Sequence, residues 1–181
     1  YPISPYAATK KSCELMIHSF SHLFNLNTTC LRFFTVYGPR GRPDMAPYKF
    51  IKMISNGEVI TRYGEGNTSR DYTYIADIVK GILAALDRNF KFEIINLGNS
   101  TPVTLNEFIA TIEKHLGRKA NIVQQEIPLG DVNITYANIN KAKTLLNYNP
   151  QVNLDEGIKQ LISWYNNIEN SENQVLFSSG D

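Results

Sequence analysis

Short β-rich runs alternate with amphipathic helical segments along almost the whole chain. Residues 28–34 and 93–97 are typical of buried strands, whereas residues 7–25 and the stretch after Thr104 repeat apolar side chains at helical spacing. Strands that alternate with helices favour an α/β fold. With 181 residues, 43% of them hydrophobic, the chain is long enough to bury a core of its own.

The ends of several helices are marked by particular residues. Gly57 follows one helical segment and is suited to the left-handed cap. Thr104 with Glu107 has the spacing of a capping box, and Asn153 is the expected cap of the last helix. Between these lies a helix for which we predict one buried face, made of Ile78, Val79, Ile82, Leu83 and Leu86.

Composition excludes several classes of function. A net charge of +1 gives no field that would attract nucleic acid or a membrane surface, and no apolar run approaches the length of a bilayer. Cys13 and Cys30 have no metal-ligand spacing, and we interpret them as buried free thiols. The sequence therefore predicts a cytoplasmic protein with no metal centre, no nucleic-acid partner and no membrane partner.

A tyrosine and a lysine lie four residues apart at the start of the first predicted helix. Tyr6 and Lys10 share a helix face, and a nearby ammonium favours the phenolate, which makes a phenol usable as an acid/base near neutral pH. Such a pair suits reversible alcohol–ketone chemistry beside a nicotinamide. Taken alone, this spacing favours a structural role, because it is short and occurs a second time at Tyr48 and Lys52. We assign that second pair to packing.

Arginine, glycine and proline shape a second motif. Pro39, Gly41 and Pro43 interrupt regular structure, so we expect an exposed loop over residues 37–45 that presents Arg42. A guanidinium in such a loop can hold a carboxylate with two charge-assisted hydrogen bonds. The loop therefore suits an anionic substrate.

Taken in order, these and further motifs resemble the extended short-chain dehydrogenase/reductases of the NAD-dependent epimerase/dehydratase family. Residues 32–46 are most similar to the UDP-glucuronate 4-epimerases within that family. The resemblance implies the C-terminal part of a Rossmann-type doubly wound sheet plus a small mixed α/β substrate-binding domain. The matching segments are residues 4–11, 31–38, 64–75, 96–99, 130–132 and 148–150.

The resemblance assigns chemistry to the tyrosine and the lysine. Tyr6 would be the acid/base on the C4 hydroxyl of a UDP-hexuronate, and Lys10 would favour its phenolate and hold the nicotinamide ribose. Both would therefore be catalytic and cofactor-binding residues. Hydride would pass from C4 to NAD and return to the other face of the 4-keto sugar, so that NAD stays bound as a catalyst. The resemblance also implies a homodimer.

The same resemblance implies five substrate-binding residues. Thr35 and Arg42 would engage the sugar carboxylate. Arg70 would bind the diphosphate of the UDP-sugar, Asp131 the nucleotide ribose, and Tyr63 would flank the uracil. Arg70 and Asp131 are assigned by their positions in the matching motifs, whereas Tyr63, an aromatic residue at the end of a predicted strand, suits a core position equally well.

One part of the family pattern is missing from these residues. The sequence contains no Gly-x-x-Gly-x-x-Gly segment to bind a dinucleotide pyrophosphate. We therefore interpret residues 1–181 as the C-terminal half of such an enzyme, without its NAD-binding half, and expect these residues alone to bind NAD poorly and to show no turnover.

Other functions stay open. Within the enzyme class the alternatives are a UDP-glucuronate decarboxylase, another nucleotide-sugar epimerase and a 4,6-dehydratase. Arg42 disfavours a neutral UDP-hexose. In another class, the chain could be a non-catalytic sugar-nucleotide-binding or scaffold module, which the joint presence of Tyr6 and Lys10 disfavours.

Overall fold

The structure is a computed structural model that describes residues 1–128 and 131–178, with side chains up to Ile168. Within these residues no helix is long and apolar enough to cross a membrane. Helices and strands alternate along the described chain: α1 Pro5–Phe24, β1 Thr28–Phe33, β2 Thr35–Tyr37, α2 Ala46–Asn56, β3 Val59–Tyr63, β4 Ser69–Tyr74, α3 Ile75–Leu86, β5 Phe92–Leu97, β6 Pro102–Thr104, α4 Leu105–Leu116, β7 Asn121–Gln125, β8 Ile134–Thr135, α5 Asn140–Leu146 and α6 Leu154–Ser178.

The described strands form three small sheets. β1 pairs with β5 and β3 pairs with β7, both in parallel. The third sheet is mixed: β4 pairs in parallel with β2 and β8 and antiparallel with β6. Parallel strands joined through helices confirm the predicted α/β class.

Two apolar clusters make up the described core. One lies among α2, α4, α6 and strands β2 to β4, and the largest fully buried side chain in it is Phe108. The other lies among α3, α5, β1 and β5, around Ile95 and Leu97. Because β2 follows β1 after one residue, the chain passes directly from the second cluster into the first.

The predicted helix ends are confirmed. Gly57 closes α2 with φ 73°, a left-handed conformation that suits a residue without Cβ. Thr104 and Glu107 form both hydrogen bonds of the capping box at the start of α4. At the start of α6, the Asn153 side-chain oxygen accepts a hydrogen bond from the Glu156 backbone N–H at 3.0 Å.

The exposed loop begins later than predicted. Tyr37 and Gly38 are buried, because residues 35–37 form the strand β2 beside β4. The Tyr37 ring lies so close to α6 that a Cβ on Gly157 would be 2.0 Å from its hydroxyl oxygen. Burial raises the pKa of Tyr37. The prediction of an exposed loop over residues 37–45 was therefore wrong for Tyr37, which lies in a strand, and wrong about the exposure of Gly38.

Two predictions of burial were also wrong. α3 buries Ile78 as expected, but Val79, Leu83 and Leu86 are exposed. The helix contacts the sheet through a narrow face at Gly81, where an added Cβ would be 2.8 Å from a Leu97 methyl, and no described element covers its opposite face. The thiols of Cys13 and Cys30 are exposed and half-buried respectively, rather than buried.

A buried carboxylate joins three segments of the fold. Asp71, on β4, is fully buried. One of its oxygens accepts from the Asn99 backbone N–H at 2.8 Å and the Thr73 hydroxyl at 3.2 Å, and the other accepts from the backbone N–H groups of Ser100 and Ala137, both at 2.9 Å. β4, the turn after β5 and the segment before α5 therefore meet at one side chain.

Replacing Asp71→Asn should destabilise the protein strongly. An amide keeps the shape but offers only one acceptor oxygen, so buried N–H donors lose their partners and the free energy of unfolding should fall by about 2–4 kcal/mol. Urea denaturation followed by Trp164 fluorescence measures the change. Asp87→Asn, at the exposed end of α3, should change the free energy by less than about 0.5 kcal/mol. Equal effects of the two variants would contradict the assignment.

Candidate active site

The first helix begins in a way that presents two predicted site residues. Ser4 has an extended backbone, and its hydroxyl oxygen accepts a hydrogen bond from the Ala7 N–H at 3.2 Å. Pro5 follows in the first turn, where its missing N–H is harmless. The N-cap therefore fixes the start of α1 one residue before Tyr6 and places Lys10 one turn further along.

Tyr6 and Lys10 lie together on an open cavity. The Tyr6 side chain is 71% exposed, and the Lys10 ammonium lies 5.7 Å from the centroid of its ring. Both line a cavity of about 900 Å³, together with Glu14 and with Arg32 and Phe33 from the end of β1. The phenol and the ammonium are thus adjacent and accessible to a ligand, and their catalytic role stays a prediction.

The second tyrosine–lysine pair lies in a different environment. Tyr48 is half-buried, and its ring packs edge-on against Trp164 and Tyr165 of α6, with centroid distances of 6.2 and 5.7 Å. Lys52, one turn later, is exposed. This geometry matches the interpretation of that pair as packing.

A bidentate ion pair joins α1 to β1 inside the same cavity. The Arg32 Nε and Nη2 atoms donate to the two carboxylate oxygens of Glu14 at 2.5 and 2.7 Å, and Lys11 donates at 3.1 Å. The hydrogen bonds from Arg32 lower the pKa of Glu14 to about 2. The sequence analysis did not predict this pair. Two features could have indicated it: Arg32 is a charged residue inside a β-rich run, and the Glu14 carboxylate lies one turn after Lys10.

Arg42 is exposed and already holds a carboxylate of its own chain. Its Nε and Nη2 atoms donate to Asp44 at 3.1 and 2.5 Å, with 75% and 62% of the two side chains exposed. These hydrogen bonds raise the pKa of Arg42 and lower that of Asp44. The guanidinium therefore binds a carboxylate of its own chain through two donors, and its contact with a sugar carboxylate stays a prediction.

Arg70 and Asp131, which were predicted to bind different parts of a nucleotide, bind each other. The Arg70 Nη2 atom lies 2.5 Å from an Asp131 carboxylate oxygen. Nη1 donates to the backbone carbonyls of Ser69 and Val132 at 2.9 and 2.8 Å. Gly130, predicted as part of this motif, lies outside the described residues.

Tyr63 and Thr35, the remaining predicted site residues, do not line the cavity of Tyr6. Tyr63, at the end of β3, lines a second cavity of about 500 Å³ together with Asn133. Thr35 is half-buried on β2, opposite Tyr72. Among the described residues the 900 Å³ cavity therefore unites Tyr6 and Lys10, but neither Tyr63 nor Thr35 lines it.

A comparison with family models identifies the class of protein. Residues 1–98, a little over half of the chain, match the NAD dependent epimerase/dehydratase family. The chain belongs to this family.

Individual relatives are similar over nearly all of this chain. It is 50% identical over 171 residues to protein MJ1055 of Methanocaldococcus jannaschii and 44% identical over 164 residues to a UDP-glucuronate 4-epimerase of Thermodesulfobacterium geofontis. These alignments cover 94% and 90% of this chain but 52% and 50% of the relatives. The chain thus spans about half the length of the curated relatives that it matches.

A solved structure shows the same fold. The UDP-glucuronic acid 4-epimerase of Bacillus cereus, crystallised with UDP-glucuronic acid and NAD, superposes with a TM-score of 0.88 at 37% identity. The match covers 93% of this chain and 54% of that one. The predicted Rossmann-type class is thereby confirmed for the part that this chain contains.

Acid should weaken the attachment of α1. Because the ion pair lowers the pKa of Glu14 from 4.5 to about 2, its stabilising effect is complete above pH 4.5 and is lost as the pH falls towards 2. The difference in Tm between the wild type and Glu14→Gln should therefore be largest above about pH 5 and shrink below it. Thermal unfolding from pH 2 to 7 measures this. A difference that does not change with pH would contradict it.

Proposed function

We propose that the protein containing this chain is an NAD-dependent nucleotide-sugar 4-epimerase that interconverts UDP-glucuronate and UDP-galacturonate through a 4-keto sugar. The chain would supply the acid/base pair and the sugar-nucleotide site. The dinucleotide pyrophosphate would bind to residues beyond these 181. The similarity to a UDP-glucuronate 4-epimerase over 90% of this chain supports the choice of substrate.

The observation that carries the proposal is the pairing of Tyr6 with Lys10 on an open cavity. A phenol that gives and takes a proton at a sugar hydroxyl must be reachable, and Tyr6 is 71% exposed. It also needs a cation that stabilises its phenolate, and the Lys10 ammonium lies 5.7 Å from the ring centroid. Tyr6 would hold the proton of the C4 hydroxyl.

The residues present fit one end of the cofactor. The Lys10 ammonium offers hydrogen-bond donors on the cavity that Tyr6 lines, which suits the hydroxyls of a nicotinamide ribose. NAD, when bound, would supply a reversible acceptor for the hydrogen on C4. No glycine-rich phosphate loop occurs in these residues, so the other end of NAD has no site here.

The substrate side of the proposal rests on the arginines. Arg42 already holds a carboxylate in two-pronged geometry, so a hexuronate carboxylate could take the place of Asp44. Arg70 would contact the diphosphate, Asp131 the ribose and Tyr63 the uracil, while Thr35 would share the carboxylate. A UDP-glucuronate decarboxylase, which needs the same carboxylate, is the alternative that Arg42 also supports.

We also infer a homodimer. α1 exposes a row of large apolar side chains that no described element covers, which supports association of α1 with a second copy. The members of this row are Leu15, Met16, Phe20, Leu23 and Phe24.

The full gene product should convert UDP-glucuronate into UDP-galacturonate when NAD is present. Tyr6→Phe removes the acid/base and should lower kcat at least about a hundredfold. NMR of the sugar nucleotides follows the reaction. These 181 residues alone should show no turnover.

Tyr48→Phe is the matched control for Tyr6→Phe, because it removes a hydroxyl at the same spacing from a lysine. It should leave kcat within about twofold of the wild type. Absence of any epimer would remove the proposal, and UDP-xylose would assign the protein as a decarboxylase.

Arg42→Lys tests the choice of a hexuronate. Lysine keeps the charge but lacks the two parallel donors of the guanidinium, so KM for UDP-glucuronate should rise about tenfold. Affinity for UDP-glucose, which has no carboxylate, should stay unchanged. Asp44→Asn removes the competing carboxylate and should lower KM or leave it constant. An equal loss for both sugars in Arg42→Lys would argue against carboxylate recognition.

A further inference from the structure

α1 contributes little to the apolar core of the described residues. Neither of the two apolar clusters includes a side chain of α1 among the described residues. Ser21 is the buried residue of this helix, and much of its apolar surface is exposed. Within the described residues, α1 is therefore held mainly by polar and aromatic contacts rather than by core packing.

Among the described residues, three hydrogen-bonded, ionic or aromatic contacts attach α1 to β1 and to the start of β5. Near the C-terminal end, the Ser21 hydroxyl donates to the Lys91 carbonyl at 2.7 Å. One turn earlier, the His18 ring meets the Phe92 ring edge-on at 4.7 Å. One turn earlier again, Glu14 binds the Arg32 guanidinium through both oxygens. The third of these contacts holds the middle of the helix.

The attaching residues and the proposed acid/base pair lie on one stripe. At about 100° per residue, positions 6, 10, 14, 18 and 21 fall within an arc of about 120°. Among the described residues, the side chains of residues 5–13 make hydrogen bonds and ion pairs only within α1. Within the described residues, Glu14 is therefore the residue nearest to Lys10 and Tyr6 in α1 whose side chain binds another element.

We propose that the Glu14–Arg32 ion pair positions Tyr6 and Lys10 for the reaction. A forked guanidinium–carboxylate pair fixes both the distance and the angle between the two groups that it joins. Arg32 lies on β1, three residues before Thr35, so the pair couples the helix that carries the acid/base to the strand that leads to the substrate site. Glu14 and Arg32 are positioning residues, and this role rests on the proposed function.

The other contacts of α1 among the described residues would not replace the Glu14–Arg32 pair in this role. The Lys11–Glu14 contact lies within α1 and cannot hold the helix to the sheet. The Ser21 and His18 contacts lie two turns or more beyond Lys10, so the first turns could pivot about them. A displacement of about 1 Å at a reacting group can lower a rate about a hundredfold, which makes such a pivot sufficient to impair catalysis.

A double-mutant cycle in the full gene product tests the proposal. Glu14→Gln and Arg32→Gln should each lower kcat about ten- to a hundredfold, with KM for UDP-glucuronate within about twofold of the wild type. The double variant should be no worse than either single variant, because both remove the same contact. Losses that multiply, or an unchanged kcat, would overturn the proposal.

Hydrogen–deuterium exchange provides a measurement that does not depend on activity. Glu14→Gln should speed exchange of amides in residues 9–13 at least about tenfold, and amides near Ser21 should stay protected. Uniform acceleration along α1, or no acceleration, would overturn the positioning role. If the wild type shows no epimerisation, the proposed function fails, but the exchange experiment still decides whether the pair holds the first turns.

Two further variants separate positioning from general stability. Lys11→Gln removes the other cation on the Glu14 carboxylate and should keep kcat within about twofold of the wild type. Arg32→Lys retains the charge without the fork, so it should fold and still lose part of kcat. If Arg32→Lys has wild-type kcat, the forked geometry has no role in positioning and the proposal is wrong.

Discussion

The buried Asp71 carboxylate is the contact on which the arrangement of the sheets depends. Four donors converge on its two oxygens, three of them backbone N–H groups from segments that are remote in sequence. A carboxylate suits this position because it only accepts, at two oxygens with several lone pairs each. The neighbouring backbone approaches so closely that a Cβ on Gly98 would be 2.8 Å from one of these oxygens. Arg70, the next residue back on β4, is therefore held on a fixed strand.

Six residues later, a second buried carboxylate also accepts hydrogen bonds from backbone N–H groups of a remote segment. Asp77, in the first turn of α3, accepts from the backbone N–H groups of Gln151 and Val152 at 2.9 Å each, and it also binds Lys80. Because α3 follows β4 directly, the two aspartates lie on either side of one strand–helix junction. The apolar clusters supply the bulk of the burial, while these carboxylates set which loops lie against which elements.

The sequence predicts those features that are encoded locally. The capping box at Thr104 and the left-handed cap at Gly57 depend on neighbours within a few residues, so pattern reasoning found them. β2 and β8 are two or three residues long and exist because they pair with β4, a relation that no local pattern contains. The Arg70–Asp131 pair joins residues 61 apart in the sequence, so no local pattern predicts it either. The spacing of Tyr6 and Lys10 on one helix is local, and the sequence therefore predicts that they share a face.

Exposure separates the three arginine–carboxylate pairs found among the described residues. The Glu14 and Arg32 side chains are 13% and 46% exposed, those of Asp131 and Arg70 are 37% and 24% exposed, and those of Asp44 and Arg42 are 62% and 75% exposed. A fully exposed pair is worth little and exchanges readily with another anion, whereas a partly buried pair with two parallel hydrogen bonds exchanges less readily. Under the proposed function, an incoming hexuronate carboxylate would therefore displace Asp44 at small cost and leave the Glu14 pair intact. Lys10, which makes no ion pair among the described residues, would meet its ligand without any exchange. Under the two proposals, the same chemical pairing would serve as support at α1 and as a replaceable contact at the loop.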